Sequence, residues 1–207
     1  VFYLYTFNKM LSDTQELIIN LDNKHKFGEV HTLFSLIKNM FSLLPENIFH
    51  EPERKWLDTG CGKGYYSIFL FNKLFKTLEN AFPEAINRKK HILENMIYMI
   101  EINEEHNDIL YKNFQTKNIN LINSNFLEYN YNINFDVIFG NPPFNSNGIK
   151  KVPTNNEKNK KMDGKTIWSA FVKKSISSLK DNGLLLYITP SIWMKKDKEN
   201  MFFYMTQ

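Results

Sequence analysis

Short apolar runs alternate with longer stretches whose apolar residues recur every three or four positions, and this alternation covers most of the chain. Leu33, Ile37, Met40, Phe41 and Leu44 keep helical spacing until Pro45 interrupts them, which predicts a helix over 34–44. Beyond it, strands are expected at 55–57, 96–101, 120–123, 135–139 and 184–189. Helices are expected at 65–78, 104–114 and 167–179, with a helical or irregular stretch at 82–94. Residues 1–27 are weakly patterned and read as an N-terminal helix with polar turns. Strands and helices in regular alternation argue for an α/β fold, a mostly parallel sheet with helices on both faces. Ligands in such sheets bind beyond the carboxyl ends of the strands, so the residues after each strand are where chemistry is to be sought.

Composition narrows the setting. With 43% hydrophobic and 15% aromatic residues among 207, the chain can bury one sizeable core. A single cysteine excludes an internal disulfide framework and cannot by itself supply a zinc site, and the histidines lack zinc spacing, so no metal is expected. No apolar run reaches membrane-spanning length and the first residues lack a basic n-region, which gives the expectation of a soluble, intracellular or cytoplasmic protein without a membrane partner. The first residue is not Met and 201–207 carry no capping signal, so a fragment of a longer protein is expected. The net charge of +4 is compatible with nucleic acid without establishing it. Its placement says more: Lys150, Lys151, Lys158, Lys160, Lys161 and Lys165 gather just after the fourth strand, with Lys195, Lys196 and Lys198 further on. A solvated lysine-rich segment would look the same, but beside an active site phosphate contact is the better expectation.

After the first strand comes Asp58-Thr59-Gly60-Cys61-Gly62-Lys63-Gly64. Glycines there permit positive φ and remove the Cβ atoms that would keep a ligand from the backbone amides. The spacing is not that of the dinucleotide fingerprint, and a ligand-free structural turn remains an alternative for this segment alone. The second strand ends in Glu101-Ile102, where a carboxylate can accept both ribose hydroxyls of a nucleoside and Ile102 can flank its base. After the third, Asn125 offers an amide for the adenine edge and Phe126 a ring for its other face. Taken singly, Glu101 could be a helix-terminal charge and Phe126 a core residue; three consecutive strand ends with nucleoside-type contacts point to a site.

The fourth strand runs into Asn141-Pro142-Pro143-Phe144, an amide, a rigid carbonyl and an aromatic ring at one strand end. An exocyclic amine conjugated to a purine is a poor nucleophile because its lone pair is delocalised into the ring. The Asn141 side-chain oxygen and the Pro142 main-chain oxygen can accept its two hydrogens and turn that lone pair outward, Pro142 and Pro143 preorganise the acceptors, and Phe144 can stack on the base. A base taken from a duplex must first be flipped out at a cost of roughly a few kcal/mol, which stacking helps to offset.

These segments resemble a known family. Asp58 to Gly64 looks like motif I of class I S-adenosylmethionine methyltransferases, Glu101 like their acidic ribose residue, and Asn141 to Phe144 like the motif IV tetrapeptide of amino-methyltransferases. Gly28-Glu29-Val30-His31-Thr32 resembles the segment ahead of motif I in gamma-order DNA adenine-N6 methyltransferases of type II restriction-modification systems, with Leu33 where that family has proline and Asn125 where many members have aspartate. The resemblance implies a Rossmann-like fold, S-adenosylmethionine as cofactor, DNA as partner, and methylation of adenine N6. It assigns Thr32, Asp58, Thr59, Gly60, Gly62, Gly64, Glu101, Ile102, Asn125 and Phe126 to the cofactor, Asn141, Pro142, Pro143 and Phe144 to catalysis, and Lys150, Lys151 and Lys165 remain the candidates for nucleic acid. It also implies a division into a helical segment with a cofactor loop at 1–45 and a catalytic domain at 46–207. The fold normally closes with an antiparallel hairpin and these enzymes add a target-recognition domain; neither fits after Met194, so both are expected to be missing, or a separate specificity subunit to supply the reading. RNA amines, a release-factor glutamine, and an inactive cofactor-binding fragment are the alternatives.

Overall fold

The computed structural model describes residues 32–146, 166–195 and 200–206. Lys150, Lys151, Lys165, the other lysines of that cluster, Lys196, Lys198 and the segment preceding Thr32 lie outside them.

Five strands, β1 (Trp56–Asp58), β2 (Ile97–Glu101), β3 (Asn120–Asn123), β4 (Phe135–Gly140) and β5 (Leu179–Tyr187), form one parallel sheet in the order β3-β2-β1-β4-β5. Among the described residues the α-helices are α1 (Phe34–Phe41), α2 (Tyr65–Thr77), α3 (Ala85–His91), α4 (Glu105–Phe114), α5 (Trp168–Ser178) and α6 (Met201–Thr206). Because side chains alternate along a strand, Trp56, Met99, Val137 and Phe139 enter one core with α1, α2 and α4, while Leu57, Ile100 and Ile138 enter a second with Phe126 and Phe171 of α5. Both faces are thus covered, as the alternation predicts. Among the described residues no helix is long and apolar enough to cross a membrane.

One strand breaks its own parity. Phe135 belongs to the second core although Val137 and Phe139 belong to the first. The amides of Asp136 and Val137 both donate to the Lys55 carbonyl, at 3.0 and 3.1 Å, so β4 carries a bulge that resets its register before the site begins. The Asp136 carboxylate closes the seam by accepting from the Lys55 amide at 2.7 Å and from Lys180 Nζ at 2.8 Å.

Several element boundaries differ from expectation, α1 ending at Phe41 instead of 44, and those of β5 and β2 have a visible cause. Strand β5 starts at Leu179 instead of 184: Leu179 pairs with Phe135, the chain detours through Lys180–Gly183 with Asn182 at φ 62°, and pairing resumes at Leu184 opposite Val137. That detour is polar and carries turn residues, which hid the first pair. Met96 closes a π turn, Ile92–Met96, that extends α3, so β2 begins one residue later than expected. At the carboxyl end, α6 buries Met201 against Trp168 and Val172.

Candidate active site

The carboxyl ends of the strands surround a cavity of about 310 Å³. Thr32, Thr59, Gly60, Gly62, Glu101, Ile102, Asn125, Phe126, Asn141 and Pro143 line it, together with Tyr65, Tyr66, His106, Ile167 and Phe171. The sequence-predicted residues Asp58, Gly64, Pro142 and Phe144 stand outside that lining. The cavity opens at the crossover between β1 and β4, where the chain leaves β1 toward β2 on one side and returns as β4 on the other.

The turn after β1 is held from several directions. Gly62 and Gly64 take positive φ, 52° and 88°; a Cβ on Gly64 would stand 2.6 Å from Leu110 Cδ2, so α4 packs where no side chain fits. The Cys61 amide donates to the Ile100 carbonyl at 3.1 Å, and the Gly64 amide donates back to Cys61 at 2.8 Å. Burial pushes the Cys61 thiol well above its ordinary range, so it stays protonated and inert.

Glu101 ties this turn to β2. Its Oε2 accepts the Gly62 amide at 2.7 Å and its Oε1 the Asn103 amide at 2.8 Å, while His106 Nδ1 lies 3.6 Å from Oε1. A carboxylate has about four lone-pair sites, so two backbone amides leave it capacity toward the cavity. Ile102 beside it is 53% exposed, an apolar surface with no packing role in the core. After β3, Asn125 Oδ1 accepts from the Leu127 amide at 3.1 Å and its Nδ2 donates to Glu128 Oε1 at 2.8 Å, an Asx turn that sets the end of the β3 loop. Phe126 is buried and packs on Phe171 with ring centroids 5.4 Å apart.

Asp58 lies behind the turn and is fully buried. It accepts from Ser67 Oγ in α2 at 2.8 Å. Burial pushes its carboxyl up to about 7, helped by the nearby charge of Glu101 and opposed by the hydrogen bonds from Ser67 and Gly60. Gly140, at φ 142°, passes so close that a Cβ would stand 3.3 Å from Asp58 Oδ1.

At the end of β4, Asn141 Nδ2 donates to Thr32 Oγ1 at 3.1 Å, and the Tyr66 hydroxyl donates to the same oxygen at 3.3 Å. The tetrapeptide then meets α5: the Phe144 carbonyl accepts the amides of Ile167 and Trp168 at 3.0 and 3.4 Å, and Asn145 bridges Thr166. The Phe144 ring itself is 39% exposed.

Residues 18–206 match the Eco57I restriction-modification methylase family. The chain belongs to that family. Over 91 residues it is 30% identical to an uncharacterised adenine-specific methylase of Mycoplasma pneumoniae (strain ATCC 29342 / M129 / Subtype 1), covering 43% of this chain and 21% of that relative. Two solved structures share its architecture. One is described as the modification subunit of a type I restriction enzyme from Vibrio vulnificus YJ016, with TM-score 0.62, 15% identity, and coverage of 97% of this chain and 42% of that one. The other is described as a class I S-adenosylmethionine-dependent methyltransferase from Listeria monocytogenes, with TM-score 0.58, 13% identity, and coverage of 98% and 58%. The fold of this Eco57I-family chain is therefore that of class I S-adenosylmethionine methyltransferases, and the chain spans less than two thirds of the length of each of these proteins.

Among the polar residues lining the cavity, Tyr66 and His106 have no place in the sequence expectation for this family member. Tyr66 follows Gly64 by two positions, close enough to the glycine turn for its hydroxyl to face the ligand side. His106 sits one helical turn past Asn103, under Glu101. Tyr187 ends β5, outside the cavity lining.

Proposed function

We propose that this chain carries the catalytic machinery of a DNA methyltransferase that moves a methyl group from S-adenosylmethionine to the exocyclic N6 amine of adenine. The observation that carries the reading is Asn141. It lines the same cavity as Glu101 and the glycine turn, and its Nδ2 is engaged by Thr32, which leaves Oδ1 to accept from an amine. Family membership and the adenine-specific relative support the reaction class and the base.

The residues fit the cofactor. The glycine turn can approach the methionine part closely, Glu101 has acceptor sites left for ribose hydroxyls, and the exposed Ile102 gives an apolar surface to an adenine, while Phe126, buried against Phe171, forms part of the cavity wall. Asn125 Oδ1 has a second lone pair for an adenine amine beyond the one Leu127 occupies. Thr32 and Thr59 add hydroxyls, Gly60 and Gly62 open backbone, while Asp58 and Gly64 support the turn from behind. Bound there, S-adenosylmethionine supplies an already electrophilic methyl on its sulfonium. The chain then has to orient the amine: Asn141 Oδ1 and the Pro142 carbonyl accept its hydrogens, Pro143 stiffens the strand end, and the exposed Phe144 ring offers a stacking platform. Lys150, Lys151 and Lys165 are assigned to DNA phosphates. Residues 1–45 supply Thr32 and the cofactor loop, and 46–207 the catalytic domain. The Vibrio protein is one subunit of an enzyme, which favours reading of the target sequence by a separate specificity subunit or an added domain.

Transfer of isotope-labelled methyl into mixed unmethylated DNA and RNA, with digestion to nucleosides and mass spectrometry, tests this. Label in N6-methyldeoxyadenosine that disappears in Asn141→Ala, with cofactor binding retained, is the expected result. Label in a ribonucleoside, or transfer unchanged by Asn141→Ala, would overturn it.

A further inference from the structure

Thr32 precedes α1, Tyr66 stands in the first turn of α2, and Asn141 directly follows β4; the three meet at one oxygen. A threonine hydroxyl has two lone pairs and one proton. Here one lone pair takes Asn141 Nδ2 and the other takes Tyr66, whose hydroxyl also has Met40 Sδ within 3.5 Å. That leaves the Thr32 proton for the cavity which all three residues line. Tyr66 is suited to a fixed donor role, since burial pushes its phenol up to about 12 and keeps it protonated through the neutral range.

The consequence falls on the Asn141 amide, whose two ends have opposite senses. With Nδ2 on Thr32, the acceptor Oδ1 is left for an incoming amine; a half-turn of the amide would set its N–H groups against the amine hydrogens. We propose that Thr32 and Tyr66 are positioning residues for methyl transfer, holding the Asn141 amide with its oxygen toward the substrate amine. This rests on the methyltransferase reading above and goes beyond it by making the orientation of the acceptor depend on two elements distant in sequence. Tyr66 acts through Thr32: its hydrogen bond fixes the threonine rotamer that keeps Oγ1 within reach of Asn141.

Three variants test the arrangement: Thr32→Val, which keeps the shape and removes the oxygen, Thr32→Ser, which restores it, and Tyr66→Phe. For Thr32→Val, kcat is expected to fall about ten- to a hundredfold, as for a misplaced catalytic group. Tyr66→Phe should show a smaller loss and Thr32→Ser a recovery, while the Kd for S-adenosylhomocysteine, measured by calorimetry, changes less than kcat. In 15N-labelled protein, the Asn141 side-chain amide, assigned by its absence in Asn141→Ala, should exchange slowly with solvent in the native chain and in Thr32→Ser and quickly in Thr32→Val. An unchanged kcat in Thr32→Val, a loss accounted for wholly by Kd, or identical amide exchange in the native and valine forms would overturn the proposal. The exchange measurement needs no turnover. A native chain that methylates nothing while its Asn141 amide still loosens in Thr32→Val would thus count against the function and for the positioning.

Discussion

Thr59 and Tyr187, 128 residues apart in the chain, share a hydrogen bond of 2.5 Å between their hydroxyls. Tyr187 also bonds Ser175 Oγ in α5 at 2.7 Å, so one phenol joins the glycine turn, the last residue of β5 and the middle of a helix. That helix receives the Phe144 carbonyl at its start. The two halves of the site, glycine turn and Asn-Pro-Pro-Phe segment, are therefore linked through α5 as well as through the sheet.

Removing that phenol oxygen tests the link. Tyr187→Phe leaves the buried Ser175 hydroxyl without this partner, and a buried polar group left unsatisfied costs about 1 to 3 kcal/mol. Urea unfolding should show a loss of that size, and calorimetry a weaker cofactor association through the loosened Thr59.

The glycines of the turn should separate into two kinds. Gly64→Ala must hold φ 88° and push Leu110 Cδ2 from 2.6 Å, so a loss of about 1 to 2 kcal/mol or more is expected. Around Gly60 a Cβ meets nothing within 4 Å and φ is ordinary, so Gly60→Ala should leave stability within about 0.5 kcal/mol. Parallel denaturant titrations decide this, and equal losses would remove the steric account.

Asp58 predicts a pH dependence of opposite sign to most carboxylates. Its folded pKa is raised from 3.8 to about 7, so between those values the folded chain holds a proton that the unfolded chain has released. Stability from this group is full at the acid end of that window, falls as pH rises through it with a slope approaching roughly 1.4 kcal/mol per pH unit, and stays lost above it. Asp58→Asn keeps an acceptor for Ser67 and cannot titrate. The stability difference between variant and native protein should therefore shift in favour of the variant as pH rises, and a difference flat with pH would contradict the buried-acid reading.

Glu101→Gln keeps the shape of the side chain but turns one amide-accepting oxygen into a donor. Either the Gly62 or the Asn103 amide then faces an N–H group. If Glu101 holds the ribose as proposed, S-adenosylhomocysteine should bind at least about tenfold more weakly, consistent with losing a charge-assisted hydrogen bond of about 1.5 kcal/mol or more. Calorimetry reads this directly, and unchanged affinity would remove Glu101 from the cofactor set.

The strand ends carrying Asp58, Glu101 and Asn141 were legible because each joins a short apolar run to residues that a packed interior has no use for. The bulge at Asp136 was not, since a strand buried on both faces reads as continuously apolar and shows no alternation from which a parity change could be seen. Leu179 falls at the end of the expected helix because its pairing with Phe135 is cut off from the rest of β5 by a polar detour. Tyr66 and Tyr187 carry no such signal: a tyrosine's ring satisfies the hydrophobic pattern while its hydroxyl does the polar work, and the partners of that hydroxyl appear only in the fold. The amide chemistry of Asn125 is legible in the sequence, but the hydrogen bonds that close its own turn depend on Leu127 and Glu128 and appear only with the backbone in place.

The seam between β1 and β4 also has a kinetic meaning. Strands β1, β2 and β3 are joined by successive helical crossovers, whereas the Lys55–Asp136 contact at the foot of the seam closes 81 residues at once. Entropy of chain closure delays such distant contacts, so β1, β2 and β3 should gain protection in pulsed hydrogen exchange during refolding before β4 and β5 do. A nascent chain would then assemble the glycine turn and Glu101 before the strand that leads into Asn141, and the Asn-Pro-Pro-Phe end would be the last part of the site to come into being.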